Sequence, residues 1–208
     1  MDYKQVIIDA GLRMYNSGFT VDTFGNISVM SEIGLVYITP TSIPYTEITK
    51  DDVCVLDLDG NIIDGGKRPS SEYRLHLEIY KARPDIKAIV HTHPIDSTAI
   101  SCTGADLPML FDEAWIVLKD TVKTVKYNPP GTIELAKAAA EAMKGKSQAC
   151  LLQSHGAVCC GKDINAAFRT AEIVEMTAKI YIRVKSMGCD YLAIDDCNPY
   201  IKKYFEQK

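Results

Sequence analysis

Three times along this chain, two β-rich runs follow one another across a turn too short to hold a helix. Gly25-Asn26-Ile27-Ser28-Val29 leads to Leu35-Val36-Tyr37-Ile38-Thr39, residues 53–58 lead across Asp59-Gly60 to Asn61-Ile62-Ile63, and residues 148–153 lead across Ser154-His155-Gly156 to residues 157–160. Asp-Gly between apolar runs is the strongest short hairpin signal, because the favoured two-residue turn needs positive φ at both central positions. Strands joined this closely are antiparallel, since parallel neighbours need a crossover of a dozen residues or more. Helical spacing separates the pairs. Val6, Ile7, Ala10, Met14 and Tyr15 share a face in residues 3–17, stopped by Gly18, and Leu75, Ile79 and Ala82 share one in a segment that runs to Arg83 with Pro84 beyond. Residues 132–143 end at Gly145, and Asp163 opens a long helix reaching Met187 and Gly188. The expectation is an α/β protein: three layers, α/β/α, around a largely antiparallel central sheet. Ser70-Ser71 read as the caps of the helix that follows them. Residues 95–127 show no decided period.

With 208 residues, 47% of them apolar, the chain can bury roughly 70% of the surface it exposes unfolded, ample for one domain over residues 1–208 with a tail from about residue 189. The net charge of −4, with basic residues only in pairs such as Lys67-Arg68 and Lys202-Lys203, excludes a phosphate-backbone footprint, so no nucleic-acid partner is expected. The N-terminus lacks a charged-then-apolar signal, and no apolar run approaches the ~18 residues needed to cross a bilayer. A cytoplasmic protein without membrane contact is the expectation. Seven cysteines without C-x-x-C spacing suggest neither a disulfide framework nor a thiolate metal site, and read as reduced thiols. No G-x-G-x-x-G or Walker sequence is present.

The chemistry-bearing residues lie between these elements. Residues two apart on a strand point to one face, so His91 and His93, at the end of a strand closed by Pro94, can lean toward one ion at ~2.1 Å each. By itself this H-x-H is equally well two histidines at an exposed strand end. His155 lies in the turn Ser154-His155-Gly156, where a turn histidine is the simpler reading. Glu72 sits in the first turn of its helix, where serine hydroxyls and free N–H groups favour a phosphate and the helix N-terminus favours an anion. His76 is four residues from Glu72 on the same helix face; a catalytic metal site must keep a position open, which assigns His76 to packing or to support of the ligands.

Taken in order, Gly25-Asn26-Ile27-Ser28, Ile38-Thr39-Pro40-Thr41-Ser42-Ile43-Pro44-Tyr45, Pro69-Ser70-Ser71-Glu72, His91-Thr92-His93 and Leu151-Leu152-Gln153-Ser154-His155-Gly156 resemble the class II aldolase and adducin head family from about Gly25 to Tyr181. The likeness is greatest to its fuculose-phosphate aldolase branch, since Ser70-Ser71-Glu72 is followed by Tyr73-Arg74, unlike the S-S-D-T pattern of the related ribulose-phosphate epimerases.

The resemblance implies one divalent metal ion per subunit, zinc with manganese or cobalt as alternatives, on Glu72, His91, His93 and His155. It also implies phosphate contacts from Asn26, Thr41, Ser42, Ser70 and Ser71, proton transfer by Glu72, and a homotetramer with sites at subunit interfaces. The implied activity is a class II aldehyde-lyase: cleavage of a ketose 1-phosphate such as L-fuculose 1-phosphate to dihydroxyacetone phosphate and a short aldehyde. A ribulose-phosphate 4-epimerase, a methylthioribulose-phosphate dehydratase and a non-catalytic adducin-like module are the alternatives. Two positions depart from the branch. Ser42 stands where a glycine is usual, and Asp112, in Leu107-Pro108-Met109-Leu110-Phe111-Asp112-Glu113, stands where a proton-donating tyrosine is usual. Asp112 is accordingly a candidate for moving a proton or binding a substrate hydroxyl.

Overall fold

All three expected hairpins form. The computed structural model describes residues 1–194, so Cys197 and most of the tail lie outside the described residues. β1 (Asn26–Met30) pairs antiparallel with β2 (Val36–Ile38), β3 (Cys54–Leu56) with β4 (Ile62–Asp64), and β7 (Ala149–Leu152) with β8 (Gly156–Gly161). At the Asp59-Gly60 turn, Gly60 has φ +89° and the Asp57 carboxylate accepts from the N–H groups of Asp59 and Asn61 at 2.9 Å each, closing the loop locally. The remaining strands, β5 (Ala88–Thr92) and β6 (Lys123–Val125), complete one eight-stranded sheet in the order β4-β3-β2-β1-β5-β8-β7-β6. Every pairing is antiparallel except β6 with β7.

Burial explains the layers. β1, β5, β7 and β8 are buried along their whole length, which requires cover on both faces. Ile27, Val29, Ala88, Val90, Ala157 and Cys159 face a core shared with α1 (Tyr3–Asn16), α3 (Ile95–Thr103), α4 (Asp112–Leu118) and α6 (Ile164–Ser186). Alternating with them, Met30, Ile89, Val158 and Cys160 face the opposite core, built with α2 (Tyr73–Ala82) and α5 (Ile133–Ala142). Fully burying a side chain such as Phe168 on one face or Ile79 on the other contributes about 2–3 kcal/mol.

Two local readings are corrected. The α2 N-cap is Glu72, without a side-chain capping bond, and not either serine; Ser70 Oγ instead accepts from the Glu72 N–H at 3.3 Å. A carboxylate that caps nothing is free to turn elsewhere. Residues 95–127 resolve into α3, α4 and β6, and both helices end on a left-handed residue, Gly104 (φ +71°) and Lys119 (φ +64°). The register then gathers the site. Asn26 pairs with His91 and Thr92 with Ala157, so the start of β1, the end of β5 and the β7–β8 turn meet at one end of the sheet, on the α2 side.

Candidate metal and phosphate site

Two glycines let this end of the sheet close. A Cβ on Gly25, which has φ +72°, would lie 2.6 Å from the His91 carbonyl oxygen, and one on Gly156 would overlap the Thr92 carbonyl oxygen while meeting the His93 ring at 3.2 Å. Only hydrogen at these positions allows the β7–β8 turn and the loop before β1 to press on the His91-Thr92-His93 segment. Tyr45, buried beneath, donates its hydroxyl to the Gly25 and Phe24 carbonyls at 2.8 and 3.1 Å. His93 lies one residue past β5, its N–H bonded to the Phe19 carbonyl at 2.8 Å.

The imidazoles of His91, His93 and His155 converge, with ligand nitrogens all within 4.8 Å of one another. His91 Nε2 is 3.0 Å from His93 Nε2 and 3.3 Å from His155 Nε2. Two nitrogens bound tetrahedrally to one zinc at 2.0–2.1 Å are roughly 3.3 Å apart. The other ring nitrogen of His91, Nδ1, is 3.0 Å from the Ala157 carbonyl, which can only accept, so Nδ1 carries a proton and, in the neutral ring, Nε2 offers a lone pair to the cluster. Glu72 completes the group: Oε2 is 3.2 Å from His91 Nε2, and Oε1 is 3.6 Å from His155 Nε2. Oε1 is buried and has no hydrogen-bond partner. An orphaned carboxylate oxygen beside three nitrogen lone pairs is the donor set a divalent cation satisfies.

Electrostatics fit that reading. Burial pushes His93 down to about 3 and His155 down to about 4, with positive charge on His91 adding to both, so these rings are neutral and able to donate lone pairs. Burial also opposes charge on Glu72 and His91, but their mutual attraction outweighs it, lowering the carboxyl and raising the imidazole. The pair shares the His91 proton, and a divalent ion held here would displace it.

A cavity of about 500 Å³ joins this cluster to the hydroxyl-bearing loops, lined by Asn26, Thr41, Ser42, Ser70, Ser71, Glu72, His93 and His155 among others. Every residue expected to touch metal or phosphate lines it except His91, which lies buried behind with its Nε2 beside those of His93 and His155. The Thr41 loop is strapped to the segment before α2 by Thr41 N–H to Arg68 O at 3.1 Å and Ser70 N–H to Thr39 O at 3.0 Å. Ser42 has φ +59°, the left-handed conformation that explains why glycine suits this position.

Two candidates sit differently from their expected roles. Asn26 is buried, its amide NH2 donating to Glu72 Oε2 at 3.0 Å and its carbonyl oxygen 2.5 Å from His76 Nε2, so its polar atoms already serve the carboxylate and the helix. Asp112 is the exposed first residue of α4 and is not among the described residues that line the cavity, of which Glu72 is the only carboxylate. The sequence reading missed Ser28, which bonds to His76, and Tyr80, which bonds to Ser28. The signal was there, since Asn26 and Ser28 are two apart on a strand, and Glu72, His76 and Tyr80 recur every fourth residue.

Comparison with known proteins agrees with this geometry. Residues 5–182 match the family described as class II aldolase and adducin N-terminal domain. A 5-deoxy-D-ribulose 1-phosphate aldolase from Bacillus thuringiensis serovar kurstaki is 38% identical over 206 residues, covering 98% of this chain and 95% of that protein. An L-fuculose phosphate aldolase from Methanococcus maripaludis is 38% identical over 167 residues, 80% of this chain and 89% of its own length. A solved structure of an L-fuculose 1-phosphate aldolase superposes with a TM-score of 0.90 at 35% identity, covering 99% of this chain and 96% of the other.

Proposed function

This chain belongs to the class II aldolase and adducin N-terminal domain family, as an aldehyde-lyase of that family, and from that premise we propose that it cleaves a ketose 1-phosphate between carbons 3 and 4, releasing dihydroxyacetone phosphate and a short aldehyde. The observation that carries the proposal is the single cavity in which the histidine–glutamate cluster faces the hydroxyls of Thr41, Ser42, Ser70 and Ser71.

In this reading Glu72, His91, His93 and His155 hold a divalent cation, zinc by the nitrogen-rich donor set with manganese or cobalt as substitutes. When bound, such a cation polarises the substrate's carbonyl and neighbouring hydroxyl oxygens and stabilises the negative charge that grows there as the carbon–carbon bond breaks. The chain does the rest. The Thr41, Ser42, Ser70 and Ser71 hydroxyls hold the phosphate and so fix which carbon faces Glu72, with the Asn26 side chain beside them at the Glu72 end of the cavity. Glu72, once it has taken up a proton from solvent, delivers it to carbon 3 as that carbon loses carbon 4, and returns to its ionised state. The hydroxyl on carbon 4 must give up its proton to become the aldehyde, and among the described residues no second carboxylate lines the cavity to accept it. We therefore place that group on a neighbouring copy in a homotetramer, with the exposed Asp112 carboxylate as candidate.

Both named substrates of the relatives fit this scheme: removing the three carbons of dihydroxyacetone phosphate from L-fuculose 1-phosphate leaves lactaldehyde, and from 5-deoxy-D-ribulose 1-phosphate leaves acetaldehyde. The test uses protein stripped with a chelator and reloaded with zinc, manganese or cobalt, and measures dihydroxyacetone phosphate released from both compounds and from D-ribulose 1-phosphate. Release from reloaded protein alone is expected. Metal-loaded protein that cleaves none of them but epimerises ribulose 5-phosphate, or dehydrates methylthioribulose 1-phosphate, would overturn the proposal. With Asp112→Asn, selective loss of turnover on one aldehyde half would support its role, and unchanged rates would remove it.

A further inference from the structure

Behind the cavity, a run of polar groups links α2 to β1 beside their apolar contacts. Tyr80 Oη lies 2.8 Å from Ser28 Oγ, Ser28 Oγ 2.7 Å from His76 Nδ1, His76 Nε2 2.5 Å from Asn26 Oδ1, and Asn26 Nδ2 3.0 Å from Glu72 Oε2. None of the four residues before Glu72 exposes more than 3% of its surface, so their polar atoms depend on one another. Building on the role proposed for Glu72, we infer that Tyr80, Ser28, His76 and Asn26 form a one-directional chain of hydrogen bonds that ties Glu72 Oε2 and leaves Oε1 bare for the cation. His76, Ser28 and Tyr80 are then positioning residues for the carboxylate.

The direction follows from counting donors. An ionised Glu72 only accepts, so Asn26 must turn its NH2 toward Oε2 and its carbonyl toward His76. That carbonyl only accepts, so His76 Nε2 carries a proton. Burial holds His76 neutral, driving its pKa down to about 3, and Nδ1 is therefore an acceptor. Ser28 must donate to it and accept from the Tyr80 hydroxyl. The reverse direction would point the Asn26 carbonyl at the Glu72 carboxylate, placing two acceptors in contact inside the protein. Each member thus has one consistent role, and a fully satisfied buried chain of this kind fixes geometry. Its geometric output is the orphaned Oε1.

The experiment has two readouts. Nitrogen-15 NMR of histidine-labelled protein reads the His76 tautomer directly, with or without metal and whatever the reaction catalysed. The Nε2–H tautomer is expected; an Nδ1–H tautomer or an imidazolium at neutral pH would overturn the inference. The second readout is the visible spectrum and affinity of cobalt(II) in His76→Leu and His76→Gln. Outer partners of metal ligands are typically worth about 10–100-fold in metal affinity. His76→Leu should lose about that much, shift the cobalt spectrum, and lower kcat with KM little changed. His76→Gln, whose amide can still donate to Asn26, should recover part of it. If His76→Leu does not fold, Ser28→Ala, which removes only the donor to Nδ1, should shift the spectrum in the same sense. A folded variant that keeps the wild-type spectrum and affinity would overturn the inference. A protein with the expected tautomer and cobalt response that cleaves no ketose phosphate would defeat the aldolase proposal and leave this one standing.

Discussion

The two walls of the cavity are built in opposite ways. The imidazole wall rests on three neighbouring strands whose register sets Asn26 beside His91 and Thr92 beside Ala157, with glycines at 25 and 156 admitting the close approach and the Glu72 carboxylate held from behind. The hydroxyl wall rests on two loops joined by the two backbone hydrogen bonds that form the bridge between Pro40 and Pro69, with Ser42 and Ser71 exposed. A cation demands donors placed to within a few tenths of an ångström, whereas a phosphate accepts from many directions and tolerates looser support. Rigidity is concentrated where coordination needs it, and substitutions in the two walls should fail differently: the first in chemistry, the second in binding.

His91→Ala strikes the first wall hardest. Removing the ring whose Nε2 lies near His93, His155 and Glu72 should abolish stoichiometric metal and, because the charge stabilisation lost is several kcal/mol at 1.36 kcal/mol per decade, reduce turnover by about 1,000-fold or more. Metal analysis beside cleavage kinetics checks it, and near-native metal content in the variant would dissolve the contrast between the walls.

Glu72→Gln sharpens the same side, because three imidazoles remain to hold the ion while the proton carrier is gone. Exchange of a carbon-bound hydrogen of dihydroxyacetone phosphate with deuterated water should slow by about 100-fold or more, the range for losing a general acid–base. Wild-type exchange would move proton transfer to another residue.

On the loop wall, Ser70→Ala and Ser71→Ala should each raise KM for the phosphorylated substrate by roughly tenfold or more, as expected for one hydrogen bond to a charged group at about 1.5–3 kcal/mol, with kcat little changed. A fall in kcat at constant KM would mean that this wall also shapes the reacting geometry.

The same division governs what the sequence discloses. Hairpins announce themselves through Asp59-Gly60 and short turns, and His91-x-His93 follows from strand periodicity, because both are local rules. The single parallel pair, β6 with β7, obeys no local rule, and β6 is only three residues long with Lys123 exposed. The end of α4 at Lys119 carries no glycine to mark it. Ser70-Ser71 look like caps because capping is what serines before a helix usually do; that Glu72 takes the N-cap position and sends its side chain to the imidazoles depends on partners 19 and 83 residues away (91 − 72 and 155 − 72). Asn26, read as a phosphate contact, spends its amide on a carboxylate 46 residues further along.

The smallest expected effect concerns a residue of the hydroxyl wall whose backbone is strained. Ser42 sits at φ +59°, where a side chain costs about 1–2 kcal/mol, while glycine there would forfeit about 0.5–1 kcal/mol through the greater freedom of the unfolded chain. The difference favours Ser42→Gly by about 0.5–1 kcal/mol, a rise in Tm of roughly 2 °C for a chain of this size. The hydroxyl it removes is 3.4 Å from Thr41 Oγ1, at the outer limit of a hydrogen bond, so little is lost within the loop itself. If that hydroxyl instead serves the phosphate, KM should rise as the Tm rises, and the serine is retained for binding at a cost in stability. Calorimetry and kinetics on the one variant separate the two terms: a Tm that falls would mean that the Thr41–Ser42 contact holds the loop, and that the second wall is stiffer than its backbone bonding implies.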